Sequence, residues 1–269
     1  MHPGLVCVAA ASALAALVWI LSLLTHEYSW TDRIWSLAPI GYAWVFAGAA
    51  HLGDARLDVV AVLITLWGAR LTFNFARKGG YAAGGQDYRW GVLRARMKPW
   101  QFAIFNLAFI AIYQNVIIAA ITAPMWAMYD HRGRFGRWEV LLSVLTLLAI
   151  AGETVADEQQ WRFQQQKKAV LATGGQPETG FLRTGMFGYC RHPNFFCELS
   201  IWWLVFLFAV CAAPAAALPT IAGSILLTLL FVGSVRLTEA ISVSRYPAYA
   251  RYQQERSAVV PWLPKTGRG

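Results

Sequence analysis

Four residues in the stretch GMFGYCRHPNFFCELSIWW, 185–203, have the types and spacing to hold a polar ligand. Arg191 and His192 come just before Pro193, which cannot continue a helix behind it but suits the first turn of a new one. A helix N-terminus led by a guanidinium and an imidazole suits a phosphate. Asn194 and Glu198 then lie four apart, on one face of the helix that starts here. The plainer reading of the same residues is a capped helix start with an interfacial arginine.

Three further clusters have chemical potential. In WGARLTFNFARKGG, 67–80, the spacing of Arg70, Asn74 and Arg77 places all three on one helix face, although Arg77 and Lys78 also suit simple anchoring at a helix end. In GGYAAGGQDYRW, 79–90, four glycines let backbone amides approach a phosphate, and Asp87, Tyr88, Arg89 and Trp90 follow with groups that stack or pair. No strand precedes this loop and its spacing is not that of a dinucleotide fingerprint, so a flexible loop explains it equally. In ADEQQWRFQQQ, 156–166, Asp157 and Glu158 follow Glu153 at the C-terminal end of a helix, against the helix dipole. A cationic partner is implied, with Arg70, Arg191 and Arg236 as candidates, and a structural ion pair is the alternative use.

The elements that must position these groups are membrane helices. The 269 residues are 57% hydrophobic and 14% charged, a balance unsuited to a soluble domain. Roughly 20 apolar residues span a bilayer. The stretches 5–24, 34–50, 59–76, 101–129 and 138–156 meet or approach that length, and 199–235 is long enough for a hairpin broken at Pro214 and Pro219. The expected fold is therefore all-α and integral to the membrane, with about seven transmembrane helices in one polytopic domain over 1–269. Lys and Arg favour the cytoplasmic side. Arg77, Lys78, Arg89 to Lys98, Arg162 to Lys168, Arg183, Arg191, Arg245 to Arg256, Lys265 and Arg268 share one side, and the other has little beyond Arg56, Arg132, Arg134 and Arg137. This sets the N-terminus outside and the C-terminus in the cytoplasm, in a multi-pass protein of a bacterial inner membrane type. The net charge of +9 belongs to that bias and to contact with membrane lipid, not to nucleic acid. Cys7, Cys190, Cys197 and Cys211 form no metal-like spacing, so free thiols and no metal are expected.

RHPNFFCE resembles the RHPNYxGE signature of the steroid 5-alpha-reductase and sterol reductase superfamily. WGARLTFN, the Gly-rich loop and ADEQQWRFQ resemble a bacterial branch grouped with those reductases, and the tail RLTEAISVSRYPAYARYQQERSAVVPW, 236–262, resembles the family's closing pattern. The resemblance implies NADPH in a cytoplasm-facing pocket formed by 67–98, 153–200 and 236–262, with a lipophilic substrate entering from the bilayer. It carries cofactor contact onto Arg70, Asp157, Asn194, Glu198 and Arg236, and the clusters above and the tail add Asn74, Arg77, Asp87, Tyr88, Arg89, Arg191, His192, Glu239, Tyr249 and Tyr252 as candidates. The reaction implied is reduction of a carbon–carbon double bond conjugated to a carbonyl. Where the steroid enzymes have a tyrosine that polarises this carbonyl, the chain has Trp67, and the signature glycine is Cys197. Asp32, Tyr42 and Tyr88 are the candidate acids, and Asp32, Tyr88 and Glu198 the expected catalytic set. Membrane methyltransferases of the isoprenylcysteine carboxyl and phospholipid types are similar in the C-terminal half, which makes S-adenosylmethionine the alternative cofactor. A small transporter would set its buried charges nearer midmembrane.

Overall fold

The structure of the chain, a computed structural model, describes residues 1–263, and Lys265 and Arg268 lie outside them. The described residues are helical with no β-strand, and they pack as two compact units: 1–146 with 202–227, and 147–201 with the chain from 228 onward. The segment 67–98 belongs to the first unit, and 153–200 and 236–262 to the second.

The first unit opens with α1 (Pro3–Thr25), where Pro3 starts the helix and the His2 ring accepts from the Gly4 amide at 3.1 Å. The short helices α2 (Trp30–Ile34) and α3 (Ala38–Ala49) follow, then α4 (Ala55–Arg77), capped by Asp54 accepting from the Leu57 amide at 3.0 Å. After α5 (Tyr88–Arg96) comes a long run: α6 (Pro99–Phe105), a π-helix (Asn106–Tyr113), α7 (Gln114–Thr122) and α8 (Pro124–Asp130). Two helices, α9 (Arg137–Ala172) and α10 (Pro193–Ala212), belong to both units, as does α12 (Ile221–Arg245), which follows the one-turn α11 (Pro214–Ala217). The second unit closes with α13 (Tyr249–Glu255).

Among the described residues six helical runs are long and apolar enough to cross a membrane: Pro3–Thr25, Ala55–Arg77, Pro99–Asp130, Arg137–Ala172, Pro193–Ala212 and Pro214–Arg245. Leu5, Val8, Leu17, Ile20 and Leu23 of α1 and Val140, Val144, Leu147 and Leu148 of α9 are exposed, as lipid-facing side chains must be. The stretch expected as a second crossing differs. It is broken between α2 and α3, and the 12 residues of α3 rise about 18 Å, short of a hydrocarbon core about 30 Å thick.

Contacts within the first unit nevertheless fix its two ends. At one end Glu27 accepts from the Gly84 amide (2.8 Å), Gln86 from the Tyr28 amide (3.1 Å) and Ser29 from the Asp87 amide (2.9 Å), joining the exits of α1 and α4. At the other, His2 meets Asp130 at 2.9 Å and Arg56 meets Glu139 at 2.6 Å, joining the starts of α1, α4 and α9 to the exit of α8. Residues 30–54 therefore carry the chain from the first end to the second.

Small residues set the helix spacing. A Cβ on Gly68 would stand 2.5 Å from the Ser36 carbonyl oxygen of the preceding turn, and one on Gly223 would stand 2.1 Å from that of Ala120 in α7. Trp67, fully buried, meets Trp202 edge to face with ring centres 4.8 Å apart. Gly68→Val and Gly223→Val should each cost about 1–3 kcal/mol by overpacking. Glu139→Ala strands a buried guanidinium and should cost about 3–5 kcal/mol. Thermal unfolding of the purified variants in detergent checks the order of these losses.

Candidate functional site

Pro193 is the first residue of α10, as the signature stretch predicts. What precedes it is held by the tail of the chain. The Arg191 and His192 amides donate to the Ser257 and Ala258 carbonyls at 2.9 and 3.0 Å, and the Trp262 amide donates to Tyr189 at 3.1 Å, so 189–192 lies alongside 257–262 like a short strand. Side chains complete the join. Glu239, on α12, accepts from Arg191 Nε at 2.6 Å and Nη2 at 3.0 Å, from Gln253 Nε2 at 2.8 Å, and lies 3.0 Å from His192 Nε2. Arg191 also donates to the Gln253 and Arg256 carbonyls.

Arg191, His192 and Glu239 are thus one buried cluster whose hydrogen bonds are used within the protein, which is the capped-start reading of this sequence. The acidic run 153–158 lies within α9 and not at its C-terminal end, because the helix continues to Ala172, and Arg191, one of three cations suggested for it, goes to Glu239 instead. Tyr249 and Tyr252 are each 5% exposed and pack on Phe181, with ring centres 4.8 and 5.3 Å away. Tyr252 donates to the Phe187 carbonyl, and burial raises its phenol above the usual range. Burial likewise pushes the Cys190 thiol up to about 11, so it stays uncharged at neutral pH. Gln253 and the 256–258 backbone escaped sequence reasoning. The available signal was Glu239 itself, a carboxylate on an otherwise apolar helix that requires partners.

Asn194 and Glu198 follow on the first turns of α10, Asn194 half-buried and Glu198 buried. Here α9 comes close, because Gly152 leaves room for the Cys197 sulfur, 3.1 Å from where its Cβ would stand. Glu153 and Asp157, both buried, sit within about a turn and a half of Gly152 on α9. The two helices that meet here thus carry three buried carboxyl side chains, Glu153, Asp157 and Glu198, and a half-buried asparagine. Glu158 points elsewhere and pairs with Arg162 at 2.7 Å, and Arg236 is exposed on α12.

In the first unit Asn74 is buried and accepts from Arg77 Nε at 3.0 Å, with Arg70 one turn earlier and half-buried. The Gly-rich loop is tightly strapped. Arg33 donates to the Gly80 and Ala82 carbonyls at 3.1 and 3.2 Å and pairs with Glu27 at 2.7 Å, while Tyr81 donates to the Arg33 carbonyl at 3.1 Å. The amides of residues 79, 80, 82, 84, 85, 86 and 87 all donate within the protein, which leaves the loop little to offer a phosphate. Asp87 caps α5 through the Arg89 amide at 2.8 Å and pairs with the Arg89 guanidinium at 2.6 Å. Asp32 accepts from Trp90 Nε1 at 2.9 Å. Tyr88 is 53% exposed, whereas Tyr42, deep in α3, is 4% exposed.

The fold defines a polytopic helical membrane protein. Residues 18–256 match the family described as "Protein of unknown function (DUF1295)", and the chain belongs to that family. It is also 34% identical over 265 residues to a Schizosaccharomyces pombe protein titled "Uncharacterized protein C594.04c", an alignment covering 93% of this chain and 77% of the yeast one. No solved structure matches the chain.

Two outcomes follow from these contacts. Glu239→Gln leaves a buried guanidinium without its carboxylate, at a cost of about 3–5 kcal/mol, and frees the tail. Amide exchange over 249–258 and alkylation of Cys190 should both accelerate, and unchanged exchange there would contradict the clamp. Glu27 is held below the ordinary carboxylate range by the Gly84 amide first and Arg33 next. Its contribution is present at neutral pH and is lost as pH falls through that lowered value, so the protection factor at Gly84, corrected for the intrinsic exchange rate, should fall on acidification.

Proposed function

We propose that this protein is a seven-pass membrane reductase, its N-terminus outside and its C-terminus cytoplasmic, that uses NADPH to saturate a double bond conjugated to a carbonyl in a lipophilic substrate. The traverse of residues 30–54 supplies the seventh pass. Arg77, Lys78, Arg89, Arg94, Arg96 and Lys98 cluster at the end of the first unit that this topology places in the cytoplasm.

The observation that carries the reading is the gathering of Asp157, Asn194 and Glu198 around the Gly152–Cys197 crossing. Buried carboxyl groups and an amide at a membrane helix end suit ribose hydroxyls and a carboxamide, which offer the hydrogen-bond donors such acceptors need. Arg191 and His192 act one step back, by fixing the start of α10 from which Asn194 and Glu198 project. The exposed guanidinium of Arg236 is available to a phosphate. Cofactor contact by Arg70, Asn74, Arg77, Asp87 and Arg89 rests on the sequence reading.

NADPH, when bound, supplies hydride. The protein's share is to meet negative charge developing on the substrate oxygen with a proton donor. Asp32 suits this better than Tyr88, because Trp90 fixes its orientation, while Tyr88 faces solvent. Trp67 stays out of the chemistry, locked against Trp202.

Calorimetry of the purified protein should give an NADPH isotherm, weakened at least 10-fold by Glu198→Gln and by Asn194→Ala. An S-adenosylmethionine isotherm without an NADPH response would move the assignment to the membrane methyltransferases. For topology, a lone cysteine at Ala83→Cys should react with an impermeant maleimide only after the membrane is opened, and one at Gly133→Cys in intact cells. The reverse pattern would overturn the orientation and with it access to cytoplasmic NADPH.

A further inference from the structure

The second unit also contains a cleft of about 660 Å³ that the proposed reaction does not use. One wall is the loop carrying Glu178, Phe181 and Arg183, and the other is the exit of α12 with α13, carrying Arg245, Arg251 and Glu255. We propose that this cleft binds the phosphate of an anionic membrane phospholipid.

The walls are fixed in relation to each other. Lys167 donates to the Gly180 carbonyl at 2.8 Å and to the Tyr246 hydroxyl at 2.6 Å, tying loop to helix exit. Position 180 admits only glycine, since a Cβ there would stand 2.2 Å from the Tyr246 ring. Phe181, packed on Tyr249 and Tyr252, gives the cleft an aromatic side held by the same tail that clamps α10. The cleft is therefore a standing feature, and its volume lies in the usual range for small-ligand sites, well above what one phosphate ion fills.

Its charges are unequal. Arg251 is paired with Glu255 at 2.8 Å, which leaves Arg183, Arg245 and Glu178. Among the described residues neither Arg183 nor Arg245 has a hydrogen bond or ion pair, and Glu178, equally without one, is exposed to water. The remaining balance is one positive charge, carried by two guanidinium groups able to bind a phosphate through paired hydrogen bonds.

Depth selects the source of that phosphate. The 25 residues of α12 rise about 37 Å, more than the roughly 30 Å of hydrocarbon, so its last turn emerges among the headgroups. Arg245 is the final residue of that helix. A lipid phosphate is held at this level at high local concentration, and the aromatic side can cover the glycerol beneath it. Soluble phosphates meet the same guanidiniums only from bulk water.

Native mass spectrometry of the full chain released from detergent tests the assignment, with dioleoylphosphatidylglycerol and dioleoylphosphatidylcholine as probes. The anionic lipid should be retained at least 10-fold more than phosphatidylcholine, and Arg183→Gln with Arg245→Gln should abolish that preference. Both positions are exposed, and an unchanged elution volume verifies that the double variant folds. A second variant, Glu178→Gln, should keep or raise retention. Equal retention by the wild type and the double variant would overturn the site. Displacement of the lipid by millimolar inorganic phosphate would instead make it a free-phosphate site. Loss of NADPH binding in the double variant would make it part of the dinucleotide site, whereas failure of NADPH to bind the wild type bears on the reductase reading and leaves this test intact.

Discussion

The second unit depends on one carboxylate. Glu239 sits on an apolar helix where an unpaired charge would cost several kcal/mol, and it is matched by Arg191, His192 and Gln253 from two other parts of the chain. The signature segment before α10 and the tail after α12 are far apart in sequence. The cluster joins them, and the short backbone pairing of 189–192 with 257–262 continues that join. The start of α10 is thereby fixed by three elements at once, which is the condition under which Asn194 and Glu198 can present their polar groups in a constant direction.

This separates two kinds of charged residue that a motif groups together. Arg191 and His192 spend their hydrogen bonds inside the protein, while Asn194 and Glu198 lie on the helix that those bonds hold in place. The first unit repeats the division. Arg33 and Glu27 hold the Gly-rich loop by its backbone, so the glycines serve tight turns, two of them with positive φ at Gly79 and Gly84, and not a phosphate cradle. Asp32, beside this strap, accepts from the Trp90 indole. Polar residues that look interchangeable in the sequence thus divide into those that build the frame and those that the frame carries.

Much of the frame was legible in advance. Uninterrupted apolar length identified six long helices, and Pro193 marked the start of α10, because both are local properties of the chain. The spacing of Asn74 and Arg77 foretold their shared face, and they are hydrogen-bonded. The break between α2 and α3 was missed although Pro39 marks it, standing in the first turn of α3 where it cannot continue a helix behind it. The partners of Arg191 were hidden for a different reason: Glu239 and the carbonyls of Gln253 and Arg256 lie 48 to 65 positions away, and no local pattern encodes such a distance. The commitment of the Gly-rich loop's amides could not be read either, because backbone hydrogen bonds leave no mark in residue type.

The π-helix between α6 and α7 has a consequence for how the bilayer sees this chain. Asn106 and Asn115 flank it, nine positions apart. Along an ordinary α-helix nine positions make about two and a half turns, which would point one amide into the bundle and the other toward lipid. The wider π turns, about 4.4 residues each, bring nine positions close to two full turns and return both amides to the same side. Both are in fact buried, at 2% and 1% exposure, and Thr31 donates at 2.9 Å to the Ile110 carbonyl between them. The bulge works as a phase corrector: it keeps two costly amides out of the hydrocarbon in a helix whose sequence, read at the usual pitch, would have surrendered one of them to it.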